Sequence, residues 1–477
     1  MLTLELIVRP GFSRYVFLKA RSVGVLRSSR QSLRASLAAT HAGFTPLNAR
    51  PIAASSHAAP VLSALAFFFL MTGYYIIRPV RDQLGGAVGS QSLPLFYLVV
   101  FVVMLALTPV FGALVARFRR KQLLGWSYCF FIACLLAFVP AFMAQDRIGA
   151  RSLGVVFYVW VSVFNLFVVS LFWSFMADIF NGERARSVFP LIALGGMAGA
   201  IFGPLVTREL VQTLGVAPLL VVSAVTLALA LGVLLFLSGE QDRAGDRQGE
   251  PVGGSLWAGV KELVTRPFLR YMAILMLLGD GVGTLAYALL ADYSKAHFTD
   301  KVARTAFYND LDLYANILGV FLQLTVTRWL MVRRGAVVAL VTTSLINLLL
   351  LAAVVMWGPG ELPGITLGLP LLAILMIGSR GFTYGMTKPA SDALYTRVPR
   401  ETRYKGKNFI ETAVWRLGDV LVTSGVSLFG MLGMSVAGMA GVGVGVSALS
   451  AWVARQIGRA PDLAPETTAQ LPVARRA

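Results

Sequence analysis

From residue 61 to residue 454 the chain alternates long apolar runs with short polar segments. Twelve runs stand out, at 61–84, 93–116, 122–144, 153–177, 187–210, 216–238, 268–292, 310–331, 336–357, 366–388, 408–430 and 432–454. Each is long enough to cross a hydrocarbon core of roughly 30 Å as a helix. Between the sixth and seventh lies "SGEQDRAGDRQGEPVGGS", polar, glycine-rich and charged, which reads as a flexible linker. The pattern therefore predicts an all-α polytopic membrane protein of twelve transmembrane helices. Its first six-helix half spans 60–238, a cytoplasmic linker 239–265, the second half 266–456 and a cytoplasmic tail 457–477. Residues 1–59 differ from the rest, with eight Lys or Arg against the single acid Glu5 and no spanning run. They read as a basic, disordered extension. An organelle transit peptide and upstream sequence from a mis-set start codon are the other two readings.

Composition agrees with the pattern. The chain is 57% hydrophobic and 14% charged, with mean hydropathy +0.72, whereas soluble domains carry about 25% charged residues. The net charge of +19 would suit a nucleic-acid partner, but the positions of the charges exclude one. With the N-terminus inside, 32 of the 42 Lys and Arg fall in inside segments and 8 outside, while Arg380 and Arg416 lie within runs. This bias places both termini in the cytoplasm, so the basic balance is topology. Cys129 and Cys134 lie in one run and imply no disulfide framework. His41, His57 and His297 form no ligand cluster. Neither a metal site nor a cofactor is implied.

Weak internal symmetry points to two equivalent halves. "RFRRKQ" joins runs two and three and "RWLMVRRG" joins runs eight and nine; "NGERAR" follows run four and "VPRETR" follows run ten. Two six-helix halves with a central linker and short basic loops at these places resemble the plan of the major facilitator superfamily. "GALVARFRRK" (112–121) resembles that superfamily's loop motif without its usual acid.

A charge inside a bilayer costs several kcal/mol unless it is paired or faces water, so each is a candidate functional residue. In run eleven, Lys405, Asn408, Glu411, Thr412, Trp415, Arg416, Asp419 and Thr423 fall within about 140° of arc on an ideal helix. That stripe either lines a water-filled cavity or forms an ion-pair seam through Glu411 and Arg416. In run ten, Arg380, Tyr384 and Lys388 follow at i, i+4, i+8; Lys388 also suits an inside anchor. In run seven, Asp280 shares a face with Thr284 and Tyr287, and "GDGVG" loosens its backbone. Asp280 reads as a gate, a proton-linked site or a helix-helix hydrogen bond. Run four places Asn165 and Trp173 on one face, with Asp178 at its inner end as a loop or capping residue. At the end of run one, "YYIIRPVRDQLGG" puts Tyr74, Arg78 and Arg81 within about 60°, beside Asp82. Extending this run through Pro79 to Leu84 brings Arg78 into the membrane and frees a carbonyl toward a cavity. Gly195, Gly199 and Gly203, spaced by four, form a packing face. Gly441, Gly443 and Gly445 lie in a spanning run with no strand before them, and no P-loop is present.

Three stretches together resemble the ATP/ADP translocase family, the bacterial and plastid nucleotide exchangers. They are "YYIIRPVRDQLG" (74–85), "LFWSFMADIFNGERARSVFPLIALGGMAGAIFGP" (171–204) and "TKPASDALYTRVPRETRYKGKNFIETAVWRLGDV" (387–420). The resemblance implies one-for-one exchange of nucleotides in a bacterial inner membrane. It sets Arg81–Asp82 where the family has a Lys-Asp pair and Arg416 in its cationic eleventh helix. One departure stands, since the exchangers are expected to carry an acid within the fourth helix and residues 153–177 hold none.

The physics agrees with an anionic small-molecule substrate. Arg78, Arg81, Arg380 and Arg416 are guanidiniums whose forks match phosphate or carboxylate oxygens, and Asp82, Asp280 and Glu411 could hold them when the site is empty. The sequence thus predicts a secondary transporter, not an enzyme, working by alternating access in a lipid bilayer without a nucleic-acid partner. Nucleotide exchange is the leading substrate reading; a permease for another phosphorylated or carboxylated metabolite, with or without proton coupling, is the alternative. The oligomeric state is open, and a monomer suffices for all of this.

Overall fold

A computed structural model describes residues 58–118, 120–180, 182–244, 256–362, 368–399, 406–407 and 409–463. The first half contains α1 (Ala58–Val88), α2 (Leu93–Arg117), α3 (Arg120–Met143), α4 (Ala150–Ile179), α5 (Gly182–Leu214) and α6 (Ala217–Ala244). The second contains α7 (Pro267–His297), α8 (Lys301–Arg334), α9 (Ala336–Trp357), α10 (371–395), α11 (410–431) and α12 (Val436–Ile457). No strand occurs among the described residues. By length and composition ten of these helices can cross a membrane. The two others, α10 and α11, are those whose polar stripes the sequence singled out.

Of the predicted extension 1–59, residues 1–57 lie outside the described residues, as do 245–255 of the linker and 464–477 of the tail. The remainder of the linker is helical: α6 continues to Ala244, and a short helix occupies Leu256–Thr265. Helix α1 runs unbroken through Pro79 to Val88, so "YYIIRPVRDQLGG" is helical throughout.

Packing repeats between the halves. Helix α1 lies against α5 and α6 as α7 lies against α11 and α12. The halves meet along α1–α7, α1–α8, α5–α8 and α2–α11. Advancing every helix by six exchanges the last two contacts and returns the first to itself, as a two-fold related pair of repeats requires. The predicted small-residue face of α5 is used against α1. A β-carbon at Gly195 or Gly199 would overlap the carbonyl oxygens of Ala64 and Phe68, and one at Gly203 would lie 2.7 Å from the Thr72 oxygen. The two backbones touch because no side chain separates them.

Single π turns interrupt α4 at Asn165–Val169, α8 at Gln323–Thr327, α10 at Thr383–Thr387 and α11 at Ile410–Val414. Each inserts about one residue and rotates the remainder of its helix by about 100° relative to an ideal one. The uniform 3.6-residue wheel therefore misplaces residues past these turns, in α10 and α11 above all.

Candidate functional site

At the centre of the bundle, α1, α8 and α10 converge on one carboxylate. Asp312 of α8 is 1% exposed and accepts from Arg380 Nη1 of α10 at 2.9 Å. Its other oxygen lies 3.5 Å from Nε of Arg78, a buried residue of α1. That second contact is an ion pair without hydrogen-bond geometry: among the described residues, neither Arg78 Nε nor Asp312 Oδ2 has a hydrogen-bond partner. Arg78 also lies over the Tyr75 ring, 5.5 Å from its centroid. Two guanidiniums, one from each half, thus share a single carboxylate, and the cluster keeps one net positive charge.

Here "distal" means the end of the bundle remote from residues 58 and 457. On the distal side of this cluster, Arg81 binds Asp82 through Nε and Nη2 at 2.8 and 2.6 Å and stacks over Tyr158 at 4.9 Å. Tyr287 of α7 donates to Asp82 at 3.3 Å and is hydrogen-bonded to Tyr158 of α4, while Arg380 lies 5.8 Å from the Tyr287 ring centroid. Further out, Asp292 accepts from the Ser90 amide at 2.7 Å, Lys295 donates to the Val88 carbonyl at 3.0 Å, and Lys301 meets Asp146 at 3.0 Å. Asn316 and Asn309 donate to the carbonyls of Ala200 and Pro204 at 2.7 and 3.0 Å. These bonds join the halves from mid-bundle to the distal end, which is closed.

Closure relies on Gly85. A β-carbon there would lie 2.6 Å from the hydroxyls of both Tyr158 and Tyr287. Gly85→Ala is therefore expected to push these rings apart and favour the distal-open form. A cysteine placed at Ser294, which is fully buried, should then react several-fold faster with an impermeant thiol reagent. Unchanged labelling would mean that the tyrosines yield without opening the gate.

Toward the terminal end the site is more accessible. Tyr384, within the π turn of α10, is 43% exposed. One turn on, Lys388 pairs with Glu411 across α10 and α11, with 36% and 28% of their side chains exposed. Lys407 approaches Glu411 at 3.9 Å and binds Asp392 at 2.7 Å. Between α7 and α11, Asp419 accepts from Thr284 at 2.7 Å and pairs with Arg416 at 3.4 Å. Asp280 is half-buried and shares the wall of a small cavity with Trp415. Of the interhelical ion-pair seam read through Glu411 and Arg416, Glu411 forms a pair between helices, with Lys388 of α10, and Arg416 pairs with Asp419 of its own helix. Lys388 bridges two helices and is more than an anchor.

The structure therefore gathers Arg78, Arg81, Asp82, Tyr287 and Arg380, with Tyr384, Lys388, Glu411, Arg416 and Asp280 on the second-half wall. Tyr74 borders the cluster from the first half, its ring stacked on Phe164 at 6.4 Å. Trp173 packs instead among Phe67, Phe172 and Phe189 in the aromatic core of the first half. Asn165 is half-buried in the π turn of α4 and takes no part in the arginine contacts. Asn408 lies outside the described residues. Asp312 and Tyr158 were not among the predicted site residues, and Asp419 was read only as part of the polar stripe of run eleven. Asp312 had a usable signal, an acid near the end of an apolar run; Tyr158, inside one, had none.

Comparison with known proteins gives relatives that are transporters or carriers. The chain is 24% identical over 306 residues to "ADP,ATP carrier protein 1, chloroplastic" of Arabidopsis thaliana, covering 58% of this chain and 49% of that protein. It is 23% identical over 346 residues to "ADP,ATP carrier protein 2, chloroplastic" of the same plant, covering 66% and 55%. The chain thus spans about half the length of the curated relatives it matches. Among solved structures, a bacterial homologue of the iron transporter ferroportin in its inward-facing state aligns with TM-score 0.58 and 15% identity, over 83% of this chain and 97% of that one. The nucleoside transporter NupG aligns with TM-score 0.52 and 14% identity, over 84% and 98%. At such identities these likenesses show the fold alone. The Major Facilitator Superfamily model matches residues 64–422. With the two six-helix repeats and the charged site between them, that match makes this chain a membrane transporter belonging to the Major Facilitator Superfamily.

Proposed function

We propose that the chain exchanges anionic metabolites across a bacterial inner membrane, nucleotides of the ATP/ADP kind first among them, by alternating access about the central arginines. The observation that carries this reading is the shared carboxylate: Arg78 and Arg380 from opposite halves hold one Asp312 between them, and Arg78 Nε lacks a hydrogen-bond acceptor. A phosphate brings several charged oxygens and can satisfy both forks, which a single aspartate does not. Tyr384, exposed one turn from Arg380, offers a ring on which a base can stack. Similarity to the chloroplastic ADP,ATP carriers adds support for nucleotides. With the basic terminal end in the cytoplasm, the described conformation is closed outside and accessible from inside.

Because an anion must replace Asp312 before the arginines leave it, exchange is favoured over one-way flux. Proteoliposomes loaded with ATP should take up labelled ADP at least tenfold faster than empty ones. If nucleotides give no counterflow while another phosphorylated or carboxylated anion does, the nucleotide assignment falls and the permease reading takes its place. The fourth helix carries an acid only at its inner end, where Asp178, read from the sequence as a loop or capping residue, lies within α4, and the lack of an acid over residues 153–177 favours that second reading. An imposed pH gradient separates the two, since it drives only a proton-coupled permease.

A further inference from the structure

A proline inside a helix has no N–H, so the carbonyl four residues before it loses its usual donor. In α5 the proline is Pro204 and the carbonyl that of Ala200. Within a bilayer such a carbonyl needs a donor from the protein itself. Here the donor comes from the opposite half: the side-chain N–H of Asn316 in α8 reaches the Ala200 oxygen at 2.7 Å. Two turns earlier on the same face of α8, Asn309 donates to the carbonyl of Pro204 at 3.0 Å.

The level of the first bond sets it apart. Ala200 lies 18 residues from the start of α5 and 14 from its end, and Asn316 lies 15 and 18 residues from the ends of α8. Both are at mid-height, and Asn316 is one turn from Asp312. The other polar contacts named between these regions stand further toward the distal end: Asn309 with Pro204, Asp310 with Arg208 at 3.9 Å, and Lys301 with Asp146. Each partner helix is also seated firmly in its own half at this level. Helix α5 lies backbone to backbone on α1 through Gly199 and Gly203. Helix α8 lies on α10, where a β-carbon at Gly385 would be 2.6 Å from the Gly319 oxygen and Thr327 donates to the Gly385 carbonyl at 2.7 Å. The bond therefore joins two packed bodies and not two loose helices.

We propose that the bond between Asn316 and the Ala200 carbonyl is the pivot on which the halves rock, with Pro204 freeing the carbonyl for it. The pivot presupposes alternating access but not the identity of the anion. A rigid rotation moves atoms in proportion to their distance from its axis, so a bond at mid-height persists while contacts at the two ends exchange. Its donor sits on a rotatable side chain, which follows a change of angle between the helices without letting go. Both groups are neutral, so the charge of the arginine cluster one turn away is untouched.

The test uses full-length protein with Cys129 and Cys134 replaced by alanine and pairs of spin labels at exposed positions. Thr213 with Thr299 reports the distal end, Phe202 with Ile317 the middle and Leu191 with Leu324 the terminal end. Distances in this protein are compared with those in Gly85→Ala, which unsettles the distal closure. The distal distance should lengthen and the terminal one shorten by several ångströms, while the middle one keeps its mean. A middle distance that changes as much as the distal one would overturn the pivot. If none of the three changes, the halves do not rock, and alternating access falls together with the pivot. The part of the proline is read separately. Asn316→Leu should lower the melting temperature by several degrees and broaden the middle distance. Adding Pro204→Ala restores the helical N–H, and should recover the melting temperature but not the narrow distance. An equal loss of stability with proline and with alanine at 204 would overturn the role given to the freed carbonyl.

Discussion

Arg78→Gln and Arg380→Gln are each expected to abolish measurable transport while the protein still inserts into the membrane. Each removes one of the two guanidiniums on Asp312 and cancels the positive charge that makes the cluster an anion site. For Arg380, which is hydrogen-bonded to Asp312, truncating one partner of such a buried charge pair costs about 2–5 kcal/mol. At 1.4 kcal/mol per factor of ten, the loss is roughly 30-fold to several thousand-fold. Lysine keeps the charge but not the planar fork, so Arg380→Lys should fall between wild type and Arg380→Gln. Initial rates in proteoliposomes, normalised to inserted protein, give the comparison. Wild-type rates in both glutamine variants would remove the arginines from the substrate path.

Asp312→Asn should act in the opposite direction on binding. Without the carboxylate, Arg78 and Arg380 face each other with no anion between them. Breaking a buried ion pair by removing one partner costs about 3–5 kcal/mol, so the empty protein should melt lower and regain stability when a phosphorylated anion is added. Transport should change in kind as well as in rate. With no internal carboxylate to displace, KM for the anion should fall by about tenfold or more, and the stimulation of uptake by internal substrate should shrink toward one. Asp312→Glu, which restores the charge, should recover coupled exchange. An asparagine variant with ordinary KM and full trans-stimulation would show that Asp312 serves only to hold the helices together.

The bilayer made much of this fold readable, because it sets a length that every spanning helix must reach. Ten of the twelve runs are plain on that ground, and the cost of buried charge marked Arg78, Arg81, Arg380 and Arg416 without reference to any fold. Asp312 escaped for a related reason. Helix α8 was predicted to begin at residue 310 and in fact begins at Lys301. Its first turns are polar yet bury Arg304, Thr305, Asn309 and Asp312, because that face looks into the protein and not into lipid. Hydropathy averages the two faces, so residues 301–309 read as a loop and Asp312 stood at the edge of the predicted run, where an acid passes for the end of a span. Trp173 failed differently, since an aromatic ring suits a packed core as well as a cavity wall, and only its neighbours Phe67 and Phe189 decide. The π turns could not be read at all, and they change which residues of α10 and α11 share a face.

The charge left over where Arg78 and Arg380 share Asp312 has an electrical consequence. If the empty cluster crosses part of the membrane field as access alternates, the transmembrane voltage acts on the unloaded carrier. A full crossing of one elementary charge is worth about 2.3 kcal/mol per 100 mV. An anion of two or more charges reverses the sign of the moving cluster, so one polarity that hastens the loaded step slows the empty return. Voltage would then set the direction of exchange between anions of unequal charge, with no further residue required to sense it.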